Sequence, residues 1–371
     1  MTKLPGRAAL AVSALTLIAL GSAPAHAGLL GKLTDSGPKR VELSEASDKA
    51  AAYKEAFTPA GMFGKAPEAP SNGLRKVVVA GFQVEFATEQ KAIARGAGAG
   101  AGLASTTDVI YTLKGASDAQ MQAVADRLHA AFLAKLRDKG FEVLPVSALA
   151  QTGYQESLTK ANQAPAHHER GTAIDLLITP TEKEVDNASV IATAKDTAPD
   201  VFARYTAGLG PGPGAADALQ ANVIHLRLKL NFARFEESGW FNPEIDNQPQ
   251  NMLSPGGTFM QVFMPGGRHI DYPLANSVVL PHRLADKAVP VEATTGQTAQ
   301  RAAGGAARAL GGFLKGGLSG ASDIVGGAVG AAHSTLASGN YEVAAGADYE
   351  ELLAQDGMLA LSMIIEALAK P

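Results

Sequence analysis

The stretch ASDAQMQAVADRLHAAFLAKLRDKGFEVLPV, residues 116–146, narrows the possible fold more than any other part of the chain. Ser117 with Gln120 three residues later is a capping box, which predicts a helix start. Met121, Val124, Ala125, Leu128, Phe132 and Leu136 recur at helical spacing, so one stripe of the helix seeks a core. Gly140 supplies a left-handed stop, and FEVLPV then reads as a strand. A long amphipathic helix feeding a strand with almost no linker packs on a sheet, and the expectation is an α/β fold with a mixed sheet covered by amphipathic helices.

The remaining elements are read against that unit. KVVVAGFQVEF, residues 76–86, alternates at period two, with Val78, Ala80, Phe82, Val84 and Phe86 on one side and Val77, Val79, Gly81, Gln83 and Glu85 on the other. It predicts a strand buried on both faces only at its start. AIDLLITP at 173–180 predicts a further strand. In ANVIHLRLKLNF, Ile224, Leu226, Leu228, Leu230 and Phe232 alternate with His225, Arg227, Lys229 and Asn231, which predicts a strand with one dry and one wet face. The carboxy-terminal NYEVAAGADYEELLAQDGMLALSMIIEALAK reads as a strand and then a helix with Leu353, Leu361, Ile364, Ile365 and Leu368 inward, and Asp356-Gly357 as a break in its first turns. Val79, Phe82, Leu128, Phe132, Phe141 and Val143 are the expected core.

The amino terminus carries an address. MTKLPGRAALAVSALTLIALGSAPAHA has Lys3 and Arg7, an apolar run over residues 8–20 and Ala25-His26-Ala27 as a small-x-small site, which together predict a secretory signal peptide cleaved after Ala27. The run is too short to serve comfortably as a membrane span. Cleavage removes two cations and no acid, taking the net charge from −4 to −6. With no dense Lys/Arg cluster among aromatics, nucleic-acid binding is not expected. The chain has no cysteine, so neither a disulfide framework nor an acylated cysteine anchor is open to it. The organisation then reads as a signal peptide at 1–27, an extended amino-terminal segment at 28–74 and an α/β core at 75–239. An inserted turn-rich lobe with a Gly/Ala-rich segment follows at 240–335, and a closing strand and helix complete the core at 336–371.

GGFLKGGLSGASDIVGGAVGAAH, residues 311–333, spaces Gly312, Gly316 and Gly320 four apart and repeats the spacing at Gly326 and Gly330. On a helix these would form one close-packing face, the candidate oligomer or partner contact. Lys315 and Asp323 within it would each cost about 2.5–3.5 kcal/mol at a bilayer centre, which argues against a crossing. Several glycines also weaken a helix, so a flexible insert is the favoured reading of the stretch, supported by the linker-like GAGAGAG at 96–102 and GLGPGPG at 208–214.

Chemistry is sparse. Gly96, Gly98, Gly100 and Gly102 do not sit between a strand and a helix as a phosphate loop requires, and Ser319 misses the G-x-S-x-G elbow by one position. His167-His168-Glu169 could offer metal ligands, completed by Asp175 or His225, but no H-x-x-x-H or H-x-H spacing supports it and surface histidines are the expectation. Asp196 with Asp200, and Glu236 with Glu237, read as solvated carboxylates. His269 and Asp271 in MPGGRHIDYP are the most site-like pair. No catalytic, cofactor or metal residue is assigned.

The order KVVVAGFQVEF, MQAVADRLHAAFLAKLRDKG, FEVLPV, AIDLLITP and VIHLRLKLNF resembles the α/β domain shared by the amino-terminal part of the translocation protein TolB and the curli-secretion-channel family. The closing NYEVAAGADYEELLAQDGMLALSMIIEAL is similar to the end of the curli channels, and the likeness spans about half of the mature chain. It implies a non-enzymatic protein on the periplasmic side of the outer membrane, acting with other envelope proteins in assembly, secretion or scaffolding, in homo-oligomers or by peripheral association. The family's channels are lipoproteins with two amphipathic strand pairs. Here there is no cysteine and at most one strand of that quality, so a secretion pore ranks second. A periplasmic hydrolase or metal enzyme using His167, His168, His269 and Asp271 ranks third.

Overall fold

The computed structural model describes residues 40–57, 60–61, 71, 73–96, 105–161, 166–170, 188–198, 210–238, 244–283, 289–291 and 339–369. The predicted signal peptide, the strand expected at 173–180 and the glycine face at Gly312, Gly316, Gly320, Gly326 and Gly330 lie outside these residues.

Short pieces come first: β1 (Val41–Glu42), α1 (Lys49–Ala56) and β2 (Ala60–Gly61). Asp48 caps α1 by accepting from the Ala50 and Ala51 amides. β3 (Lys76–Gly96) and β4 (Ser105–Lys114) then form an antiparallel pair, and α2 (Asp118–Asp138) leads into β5 (Glu142–Val143). A 3-10 turn (Val146–Gln151), α3 (Gln155–Ala161), β6 (His167–Arg170), β7 (Ala188–Thr193) and α4 (Gly212–Leu219) follow. The second half holds β8 (Asn222–Asn231), β9 (Arg234–Ser238), β10 (Glu244–Gln248), β11 (Met252–Leu253) and β12 (Phe259–Met264). It closes with β13 (Arg268–Pro273), β14 (Val278–Val279), β15 (Val289–Pro290), β16 (Gly339–Ala344) and α5 (Tyr349–Leu368).

Fourteen of these strands form one mixed sheet, and β9 with β10 form a separate two-stranded ladder. β3 is the hub. It pairs in parallel with β8 and β5 and antiparallel with β7 and β4. β16 returns from the far end of the chain to pair in parallel with β4. The fold is therefore α/β with a mixed sheet, as the helix-to-strand unit implies. The strands β11 to β14, from the turn-rich segment, join this same sheet: β12 lies antiparallel on β8, and β11 links β8 to β14.

The capping box at Ser117 and Gln120 forms in both directions, and Gly140 takes φ +80° after α2. All six stripe residues of α2 are buried, each apolar side chain contributing about 1.5–3 kcal/mol where fully covered. Phe132 meets Phe82 of β3 at 6.0 Å between ring centroids. α5 packs beside α2 and α1. Asp356-Gly357 does not interrupt it: the helix is continuous from Tyr349 to Leu368. Gly357 is there because a Cβ would stand 2.5 Å from Leu128 Cδ1, so the two helices touch closely at this point.

Two readings of the strands change. A β-bulge falls between Val79 and Gly81 in the β3–β8 pairing. A single extra residue exchanges the faces, so Val77 and Val79 share the main core with Phe82, Val84 and Phe86, while Val78 and Ala80 belong to the other side. The predicted wet face is also covered. His225, Lys229 and Asn231 are buried, as are Gln83 and Glu85 on β3. The cover at one end is a second, smaller core made of Val78, Ala80, Leu149, Tyr154, Ala198, Ala215, Ala216, Val223 and Phe263. Helices thus lie on both sides of the sheet, with α1, α2 and α5 on one face and α3 and α4 on the other. Of the expected core residues, only Val143 is no more than partly buried.

β3 continues ten residues beyond Phe86, where the sequence pattern ends. From Lys91 to Gly96 its partner among the described strands is β4. The separate β9–β10 ladder approaches this antiparallel pair, with β10 touching both β3 and β4.

Candidate functional site

The sequence-selected residues do not converge. His167 and His168 are consecutive on β6 and exposed, so their side chains leave opposite faces of the strand. His168 Nε2 lies 3.0 Å from Asp118 Oδ2 at the start of α2. Asp175 and Asp200 lie outside the described residues. Asp196 is exposed in a turn at φ +60°, and Glu236 and Glu237 are neighbours on β9. Among the described residues no three His, Asp or Glu side chains are placed to hold a metal ion.

His225, considered above as a possible ligand, instead forms the centre of a buried chain. Tyr154 O–H, just before α3, donates to His225 Nε2 at 2.9 Å, and His225 Nδ1 reaches Gln261 Oε1 at 3.2 Å. Gln261 Nε2 donates to Asp271 Oδ1 at 2.9 Å. The geometry fixes a neutral imidazole with its proton on Nδ1. Burial lowers the His225 pKa to about 4, against the opposing pull of the Gln261 bond. Burial likewise pushes the Tyr154 hydroxyl well up. Asp271 thus has a role after all, as the outer end of this chain. His269, two residues earlier, contributes a ring contact to Phe263 at 5.7 Å.

Further along the same face, Glu85 accepts from Arg227 at 2.6 Å and stands 3.7 Å from Lys229 Nζ. Parallel pairing puts these groups side by side, because Glu85 is opposite Lys229 and Gln83 opposite Arg227. Gln83 itself donates to Thr193 Oγ1 at 3.0 Å. Charged groups this well covered need such partners. The arrangement ties β3, β8 and β7 together.

A third polar group was not singled out by sequence. Asp356 is fully buried in α5, and its carboxylate accepts from Asn251 Nδ2 at 2.6 Å and meets His282 Nδ1 at 2.7 Å. Burial raises the Asp356 pKa, with the Asn251 and His282 hydrogen bonds opposing. Gln250 Nε2 donates to the Leu280 and His282 carbonyls, and Asn251 N–H donates to the His282 carbonyl, so the segment carrying His282 is held in place. The imidazole is about one-third exposed and borders a half-open cleft of about 480 Å³.

That cleft lies in the helical layer. α5 contributes Gln355, Met358, Leu359 and Ser362, spaced so that they share one helix face, and Lys135 comes from α2. Pro281, His282 and Glu45 complete its wall. Two ion pairs bracket it along the seam between α2 and α5: Arg127 with Glu351 and Lys139 with Glu366, both at 2.5 Å. Between them Lys135 is half-buried and makes no ion pair with any described residue. Asp356 did carry a signal in the sequence, as the one acid on the otherwise apolar buried face of α5.

Comparison of the chain with protein-family models, with curated proteins and with solved structures found no match.

Proposed function

We propose that this chain is an exported envelope protein, periplasmic and associated with the outer membrane, that works without catalysis through contacts with other envelope proteins or further copies of itself. One observation carries the reading: the antiparallel ladders β3–β4 and β9–β10, which meet through β10. Strand pairs that leave a packed sheet offer backbone donors and acceptors to another chain. Export rests on the signal-peptide pattern, and Gly312, Gly316, Gly320, Gly326 and Gly330 are proposed as a second contact face.

The same ladders favour a second reading, the secretion pore, because two strand pairs are what such a barrel draws from each subunit. Their composition weighs against it. Glu89 and Lys91, two apart on β3, share one face of the strand. Each Arg or Lys facing lipid at midplane would cost about 2–4 kcal/mol. β9 and β10 pair over five positions, Arg234–Gln248 to Ser238–Glu244, short of the nine to eleven residues a crossing strand needs. No described helix is long and apolar enough to cross a membrane.

Fractionation of the tagged protein, with an alkaline wash of the outer-membrane pellet, tests the proposal. The expected result is a pelleted protein that the wash releases. Retention after washing would favour the pore, and a protein that never pellets would overturn outer-membrane association. Because the chain lacks cysteine, Ser105→Cys places a unique thiol on the β3–β4 ladder. Crosslinking from it should give an adduct, whereas Arg137→Cys on the exposed side of α2 should not. Equal yields from both would remove the ladders from the contact surface.

A further inference from the structure

The cleft between α2 and α5 brings together groups that a surface recess does not require. Lys135 is half-buried where a partner would be expected, yet α5 presents Gln355 and Ser362 to the cleft, while its acids at Glu351 and Glu366 are taken by Arg127 and Lys139. His282 is oriented by a fully buried carboxylate at 2.7 Å, with Nδ1 engaged and Nε2 unbonded to any described residue. With Asp356 holding the proton, as its burial favours, its O–H donates to His282 Nδ1, so Nε2 carries hydrogen and donates outward. A buried carboxylate without that proton would be an uncompensated charge. The cleft therefore offers an ammonium and an imidazole N–H beside the apolar surfaces of Met358, Leu359 and Pro281.

We propose that this cleft binds a small organic monocarboxylate, its charge received by Lys135 and His282 Nε2 and its apolar body resting on Met358, Leu359 and Pro281. The volume of about 480 Å³ falls within the range of small-molecule sites. Glu45 on the wall sets the charge: one negative group is matched by Lys135 and His282, and a second near Glu45 meets a like charge. Asp356 is a positioning residue here, because it acts through His282.

The test is calorimetric titration of the full mature chain with hexanoate, alongside hexylamine, hexanol, adipate and inorganic phosphate, with amide NMR shifts to locate the site. Hexanoate should bind saturably, shifting amides of residues 282–283 and 355–362, and more tightly than any of the other four. Lys135→Met should weaken it by about tenfold or more, the loss of one charge-assisted hydrogen bond, without moving the melting temperature. Glu45→Gln should narrow the gap between adipate and hexanoate. Absence of saturable hexanoate binding, hexylamine binding as tightly, or unchanged affinity in a folded Lys135→Met protein would each overturn the proposal. Phosphate binding more tightly than hexanoate would overturn the apolar part of it.

Discussion

His225 and His282 are both held by polar partners, and they differ in what lies beyond the ring. His225 has Tyr154 on one nitrogen and Gln261 on the other, under the small core of α4 and Phe263. His282 has Asp356 on one nitrogen and an open cleft beside the other. The first network closes on itself and fixes the register of β8, β12 and β13 against the segment before α3. The second fixes a ring and leaves a donor for something else. A buried polar group whose every atom is satisfied is architecture, whereas one held on a single side is prepared for a partner.

The largest expected effect removes the ground on which both stand. Phe132→Ala truncates a buried aromatic between β3 and α5's neighbour α2, and should cost about 3–5 kcal/mol in denaturant unfolding. An unchanged midpoint would mean that the α2 stripe is not the main core.

Acidification separates the two regions next, because the signs differ. His225 has a folded pKa of about 4 against an unfolded value near 6.5, so its contribution is complete above pH 6.5 and drains as pH falls towards 4. The loss approaches about 3 kcal/mol for this group. His129, buried beside Phe82 with its pKa also lowered to about 4, adds in the same direction. Asp356 has a raised folded pKa and works oppositely: the folded state gains relative stability as pH drops through that pKa. Unfolding measured from pH 7 to pH 4 should therefore fall less steeply in His225→Gln and more steeply in Asp356→Asn than in the natural chain. Parallel slopes in all three would break the comparison.

Smaller effects sharpen it. Tyr154→Phe removes the hydroxyl that donates to the buried His225 Nε2 and should cost about 1–3 kcal/mol. Asp356→Asn keeps an acceptor for Asn251 and a donor for His282 while removing the buried charge, so stability at pH 7 should stay within about 1 kcal/mol of the natural chain or rise. A large loss there would make the pair as closed a network as that around His225.

The legible parts of the fold were those written locally. The α2 stripe, its capping box and Gly140 follow from spacing within one segment, and so does the alternation of β8. What the sequence hid was written across distance. The polar face of β8 looked wet because its cover comes from Tyr154, Phe263 and a helix, GPGAADAL, that reads as a linker. Inward-facing residues of β3 were misassigned upstream of the bulge, since an extra residue at Val79–Gly81 resets a period-two pattern without altering composition. Gly357 looked like a helix break when its reason was Leu128, more than two hundred positions earlier. Asp356 and His282 become a pair only when α5 packs next to the loop after β14.

The parallel pairing of β16 with β4 joins residues 339–344 to residues 109–114. More than two hundred residues are made between them, so during synthesis the strand beside β4 and the helix beside α2 arrive long after their partners. A nascent chain stopped short of residue 339 would lack one neighbour of β4 and the partner of Leu128, leaving an open strand edge and an uncovered apolar helix face. Truncation before residue 339 is thus marked on the fold itself, because β4 keeps an open edge until β16 has been made.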